Sequence, residues 1–202
     1  MTNIEQVKKV REITLAPINK INKALAETNG DVDKAIEILV KQREASVEDM
    51  ANRKADSSFV YSYVHNNKVG AMVVLASQTD FVAKNELFTQ LAKDICMHVV
   101  SSPVQAQYVD EHSVNEARRG IVMEELYKQS ENKPQAIRDK IVKGKMDKWY
   151  SEICLLNQKF VKDDTLTIKE LITKVSGIVG EKIEVKQFTR LSAWTNYLNV
   201  VE

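Results

Sequence analysis

A carboxylate and an aromatic ring standing side by side between two patterned segments are the residues of this chain best placed to do chemistry. They are Asp80 and Phe81, in the run Ser77-Gln78-Thr79-Asp80-Phe81-Val82-Ala83-Lys84-Asn85-Glu86-Leu87-Phe88. Ahead of them, Met72 to Ala76 is a short apolar, β-branched run that reads as a strand. Behind them, Phe88, Leu91, Ala92, Ile95 and Val99 recur at helical spacing. Thr79-Asp80-Phe81 therefore occupies a strand-to-helix joint. On residue types alone, Asp80 caps the turn into the helix and Phe81 plugs the core, because a carboxylate accepts the free amides of a helix start.

Other chemistry-bearing groups point away from catalysis. The chain has three histidines, His65, His98 and His112, whose spacing forms neither a triad nor a metal site. His98 lies among apolar neighbours of a helix and reads as a satisfied packing residue. Carboxylates are plentiful, but each falls on a face that reads as solvated, so no acid–base pair is nominated. Cys96 and Cys154 lack a Cys-x-x-Cys or Cys/His spacing and read as two buried free thiols in a reducing compartment. Gly177-Ile178-Val179-Gly180 matches the bare loop of a KH domain, yet it leads into the strand-like Ile183-Glu184-Val185 instead of a second helix. Lys plus Arg (29) nearly balances Asp plus Glu (28), and the basic residues Arg138, Lys140, Lys143, Lys145 and Lys148 alternate with Asp139 and Asp147. No direct nucleic-acid partner is expected from that balance. The start Met1-Thr2-Asn3-Ile4-Glu5 has no basic stretch leading into an apolar one, and no run approaches the length of a membrane span. No membrane association and a cytoplasmic location are expected.

The elements that must hold the joint can be read from periodicity. Ile4, Val7 and Val10 mark one apolar stripe, Ile18, Ile21, Ala24 and Leu25 a second, and Val32, Ala35, Ile36, Leu39 and Val40 a third. Pro17 suits a first helical turn, Asn29-Gly30 a stop, and Asp31 an N-cap. Residues 1–44 thus form a three-helix unit, and the polar stretch 45–57 is a linker, as easily solvated helix as loop. In the core, 58–202, Phe59, Tyr61 and Tyr63 alternate with Val60, Ser62 and Val64, and Asn66-Asn67 turns the chain into Val69–Ser77 as a hairpin. Helices are expected at about 85–100, 114–129, 134–157 and 167–175, with Ile137, Ile141, Trp149, Ile153 and Leu156 as the buried stripe of the third. A strand at about 182–191 completes an α+β fold in which a three-stranded antiparallel sheet packs against helices.

The joint resembles the signature of the elongation factor Ts family, which releases GDP from elongation factor Tu during translation. The likeness continues in order through Val7-Lys8-Lys9-Val10-Arg11-Glu12, Lys23 to Asp31, Asn132-Lys133-Pro134, Ile141-Val142-Lys143-Gly144, Leu155 to Asp163 and Gly180-Glu181-Lys182-Ile183-Glu184-Val185, and so covers nearly the whole chain. The resemblance implies a ubiquitin-associated-like fold for the three N-terminal helices, with no cofactor, no metal of its own and no catalytic residues. It assigns Asp80, Phe81, Val82 and Ala83 to partner binding and magnesium displacement, supported by Thr79. It also gives Lys8 and Arg11 to the contact with the partner's GTPase domain. Where the family usually reads Thr-Gly-Ala-Gly-Met-Met-Asp-Cys-Lys-Lys-Ala-Leu, this chain reads Thr14-Leu15-Ala16-Pro17-Ile18-Asn19-Lys20-Ile21-Asn22-Lys23-Ala24-Leu25, so Ile18 and Asn19 stand where paired methionines are usual. Longer members carry two related core modules. This chain has no second Thr-Asp-Phe, and a single-module chain is expected to form a homodimer. A diverged binding paralogue, or a three-helix adaptor without exchange activity, is the alternative reading. The terminal segment is a further departure, with Trp194, Tyr197 and Leu198 forming a terminal helix or covering a subunit interface.

Overall fold

Helix stops and caps shape the N-terminal part of the chain. The computed structural model describes residues 4–14 and 16–194. Helix α1 spans Ile4–Thr14, α2 spans Ile18–Glu27 and α3 spans Val32–Ala51. Val10, Ile21, Ala24, Leu25, Ala35 and Leu39 close their common core. Pro17 directly precedes α2, where its missing N–H costs nothing. Asn29 and Gly30 take left-handed φ values of 52° and 85° and end that helix, with the Gly30 N–H donating to Leu25 O at 2.8 Å. Gln6 Nε2 donates to Gly30 O at 2.9 Å and ties α1 to the turn. The Asp31 carboxylate accepts from Lys34 N at 3.1 Å, the expected N-cap. Ile4, expected inward, is exposed; at the first residue of α1 it lies a full turn beyond the neighbours that cover Val7 and Val10.

The polar stretch after residue 44 continues as helix to Ala51. Met50 is deeply buried there, and α3 packs against the core helix α7, Ile168–Val179.

Period-two patterning places the sheet as expected. Strands β1, Ser57–His65, and β2, Val69–Ser77, form an antiparallel hairpin, and Asn66 and Asn67 take the left-handed φ values (48° and 55°) that its turn requires. Three further strands are β3, Lys159–Phe160, β4, Asp163–Thr167, and β5, Ile183–Ser192. β5 pairs antiparallel with the other side of β2, giving the order β1-β2-β5, while β3 and β4 form a separate two-stranded ribbon. The inner face stacks Phe59, Leu75 and Val185 in one rung and Tyr61, Val73 and Phe188 in the next. Against it lie α7 and α4, Glu86–Ser101, which contribute Phe88, Leu91, Ile95, Val99, Ile168, Ile172 and Val175. Phe59 meets Phe88 edge to face, with ring centroids 5.6 Å apart. The chain thus adopts the expected α+β fold of three N-terminal helices followed by a three-stranded antiparallel sheet covered by helices.

Helices α5, Glu116–Gln129, and α6, Gln135–Ile153, pack on a smaller apolar cluster. The buried stripe of α6 is Val142, Met146, Tyr150 and Ile153, while Ile137 is exposed and Ile141 and Trp149 are half-buried. This corrects the expected stripe. Apolar residues occur at both 141/149 and 142/146/150, and periodicity alone cannot choose between neighbouring faces. Trp194 is exposed, with Lys68 Nζ 5.6 Å from its ring centroid; Tyr197 and Leu198 lie outside the described residues.

Candidate functional site

The joint after β2 is a single 3-10 turn, Asp80–Lys84. With about 120° of rotation per residue, only one of two adjacent apolar side chains in such a turn can face the core. Val82 takes that place and is buried in the main core, while Phe81 projects outward and is 77 % exposed. Residue types had assigned Phe81 to the core. The geometry reverses this, and Phe81 is the most exposed large apolar side chain among the described residues. Ala83 is half-buried and lines a cavity of about 190 Å³ together with Phe59, Tyr61, Leu75 and Phe88.

Asp80 does not cap the following helix. That role falls to Asn85, whose Oδ1 accepts from Leu87 N at 2.8 Å. The Asp80 carboxylate is exposed and has no hydrogen-bond or ion-pair partner among the described residues. It is therefore free to meet an external cation or donor. Five residues thus present an uncommitted carboxylate and an uncovered aromatic ring next to each other, with Val82 as the internal anchor.

Thr79, by contrast, is exposed but committed to an internal partner. Its N–H donates to Glu181 Oε2 at 2.9 Å and its hydroxyl donates to Glu181 Oε1 at 2.6 Å. Ser77 Oγ donates to Thr79 O at 2.7 Å, and Gln78 Oε1 accepts from Lys182 N at 3.0 Å. In the sequence Glu181 belongs to the segment Gly180 to Val185 and carries no motif of its own. Nothing local marks it as belonging to the joint, from which it is 102 residues away.

The remaining candidate residues lie on other elements. Lys8 and Arg11 are exposed on α1, and Ile18 and Asn19 are exposed in the first turn of α2. Asn19 Oδ1 accepts from Lys20 N at 2.8 Å. Ile13 and Ile18 leave apolar surface uncovered close in sequence to these cations. The 3-10 turn itself packs on α4, β1 and β2, whereas the N-terminal unit meets the core where α3 packs on α7. The candidates therefore form two separate surfaces of one molecule.

Elsewhere the polar and sulfur groups are committed to structure. His98 is buried in α4; its Nε2 donates to Gln158 Oε1 at 2.9 Å and its Nδ1 accepts from Val161 N at 3.2 Å. Gln158 Nε2 donates to the carbonyls of Val104 and Glu152, which fixes its oxygen as the acceptor. Cys96 and Cys154 are free and buried, and burial pushes both thiols up to about 12, far from the reactive thiolate. Among the described residues no group of His, Cys, Asp or Glu is arranged to hold a metal ion, and no helix is long and apolar enough to cross a membrane.

Comparison with known proteins adds an independent line of observation. A family profile described as Elongation factor TS matches residues 2–195. Elongation factor Ts of Alkaliphilus oremlandii is 41% identical over 186 residues, covering 91% of this chain and 85% of that protein. Elongation factor Ts of Thermodesulfovibrio yellowstonii is 40% identical over 191 residues, covering 92% and 93%. That of Pseudothermotoga lettingae is 38% identical over 194 residues, covering 93% and 95%.

Proposed function

Because the chain belongs to the elongation factor Ts family, whose members act in translation elongation, we propose that it is a guanine nucleotide exchange factor for elongation factor Tu. In this reading it acts in the cytoplasm and without catalytic residues of its own. It binds the GDP form of its partner, disturbs the partner's magnesium and phosphate contacts, and leaves the nucleotide free to depart. The observation that carries the reading is Phe81, held 77 % exposed on a turn whose neighbour Val82 is buried. An aromatic ring in that position is available to a pocket of another protein.

Energetics support such a wedge. Weakening nucleotide binding about a thousandfold takes about 4 kcal/mol of the factor's own binding energy, by reciprocity of coupling. Burying one Phe supplies about 1.5–3 kcal/mol. An unpaired carboxylate beside it can compete for the ligands or waters of a hard cation, which is the part given to Asp80. Val82 and Ala83 fix the turn from beneath. Residues 1–44 are the unit that grips the GTPase domain, through Lys8, Arg11, Ile18 and Asn19; residues 45–57, helical to Ala51, link it to the core of residues 58–202.

A homodimer belongs to the same proposal. It is supported by the outer face of the sheet, where strand register aligns the exposed apolar residues Val60, Val64, Met72 and Leu191. A second reading, a paralogue that binds without exchanging, is favoured by the polar Asn19 exposed where the family usually has a methionine.

The test loads elongation factor Tu with fluorescent GDP, chases with unlabelled GDP, and compares no factor, the native chain, Asp80→Ala and Phe81→Ala. The exchange reading expects acceleration by the native chain that falls at least about tenfold in either variant, about 1.4 kcal/mol of lost coupling. Equal acceleration by all three forms would move the working surface off the turn. Complex formation without acceleration would establish the binding paralogue.

A further inference from the structure

We propose that Glu181 is the positioning residue of the 3-10 turn, setting the direction in which Asp80 and Phe81 leave the sheet. The inference rests on the exchange reading above and adds to it a residue from the far end of the chain. Its basis is the two-pronged contact already described, in which one carboxylate oxygen receives the Thr79 N–H and the other the Thr79 hydroxyl. Hydrogen bonds to an ionised acceptor are the stronger kind, and two from one residue fix orientation as well as distance.

The segment that carries Glu181 is held on both sides. Gly180 closes α7 in the left-handed conformation at φ 78°, and its N–H donates to Ser176 O at 2.9 Å. Two residues beyond Glu181 in the strand direction, Ile183 N donates to Ser176 Oγ at 3.2 Å. Lys182 Nζ is paired with Glu184 at 3.2 Å. The Glu181 carboxylate is thereby left to Thr79.

The turn needs such an anchor because its outer half has none. Val82 and the Asn85 cap hold its exit, the Asn85 N–H donating to Val82 O at 2.9 Å. At its entrance, between the last residue of β2 and the exposed pair, Gln78 is tied to Lys182 N, and Thr79, next to Asp80, is held by Glu181. The same end of α7 also faces the N-terminal unit. Gly177 to Gly180 line a cavity of about 260 Å³ with Thr14, Pro17, Lys20 and Leu39. Glu181 therefore joins the exchange turn to the segment that borders the N-terminal helices.

A positioning role predicts a specific division of effects. Loss of the anchor leaves the apolar area of Phe81 available for binding but spreads its directions, so the rate at saturation falls while affinity changes little. The experiment follows fluorescent GDP release from elongation factor Tu over a range of factor concentrations, for the native chain, Glu181→Ala, Glu181→Gln and Thr79→Val. In parallel, amide hydrogen exchange at Thr79 is measured in the free factors.

For Glu181→Ala, the limiting rate is expected to fall roughly tenfold with less than about a twofold change in half-saturating concentration, and the Thr79 amide to exchange at least about tenfold faster. Glu181→Gln keeps an oxygen for the amide and an NH₂ the hydroxyl can accept from, so it should recover most of both. Thr79→Val should lower the limiting rate without exposing its amide. Glu181→Ala with an unchanged limiting rate, or a rise in half-saturating concentration alone, overturns the proposal. Unchanged Thr79 exchange in Glu181→Ala also overturns it, since the clamp would then be absent. Failure of the native chain to accelerate release would remove the exchange reading itself; the Thr79 exchange data separate that result from failure of the clamp.

Discussion

At the scale of single residues, exposure divides Phe81 from Val82 although they are adjacent and both apolar. Phe81 contributes little to the folded state, so Phe81→Ala should change the stability by no more than about 0.5 kcal/mol in urea denaturation. Val82→Ala should cost about 1–2 kcal/mol by the same measurement, for the two buried carbons removed. His98 offers a pH signature. Burial holds its imidazole below the ordinary histidine value, against the opposing hydrogen bond to Gln158. The unfolded chain then binds the extra proton first, so His98's contribution is complete above the unfolded value near 6.5 and is lost as pH falls toward the lowered folded value. Within that window the slope is at most about 1.4 kcal/mol per pH unit. Denaturation midpoints measured between pH 7 and pH 5 should show the fall, and His98→Gln should remove it. Spacing in the sequence located the joint, and the resemblance turned Phe81 outward. Residue types could do only the first, because a 3-10 turn gives two neighbouring apolar residues opposite fates.

Among the elements, the capping box of α7 is the clearest local device. Thr167 Oγ1 accepts from Glu170 N at 3.1 Å, and the Glu170 carboxylate accepts from Thr167 N at 2.7 Å. Thr167→Ala should destabilise the protein by about 1 kcal/mol without altering the denaturant slope. A larger loss would mean that α7 carries more of the core than its own burial indicates. The Asp31 cap, the Asn29-Gly30 stop, the Asn66-Asn67 turn and the alternation along β1 are all short-range signals, and each of them has its expected structural counterpart, whereas the cap of α4 is Asn85 and not the expected Asp80. Two features were not legible. The β3–β4 ribbon has strands of two and five residues, too short to show a period. The face of α6 was ambiguous between adjacent apolar stripes. The Glu181–Thr79 clamp is a third case of a different kind, because a contact between residues 102 positions apart leaves no mark on either local pattern.

For the whole molecule, the proposed exchange function has two surfaces, separated by the α3–α7 contact, engage one partner together. The N-terminal helices supply cations and exposed isoleucines, and the core supplies the turn. The uncovered outer face of the sheet belongs to the proposed self-association. Replacing Val64 and Leu191 by lysine should weaken that association at least about tenfold in sedimentation equilibrium, because a charge facing an apolar partner surface is desolvated without a counter-charge. A native chain that sediments as a monomer across micromolar concentrations would contradict the dimer. The central claim is that Phe81 acts on the partner's nucleotide site and is more than a point of attachment. Its most direct test is the limiting rate of GDP release at saturating Phe81→Ala, measured beside the dissociation constant of the same complex. The account predicts a limiting rate lowered at least about tenfold, with a complex that still forms. An unchanged limiting rate, whatever happens to the affinity, would contradict it.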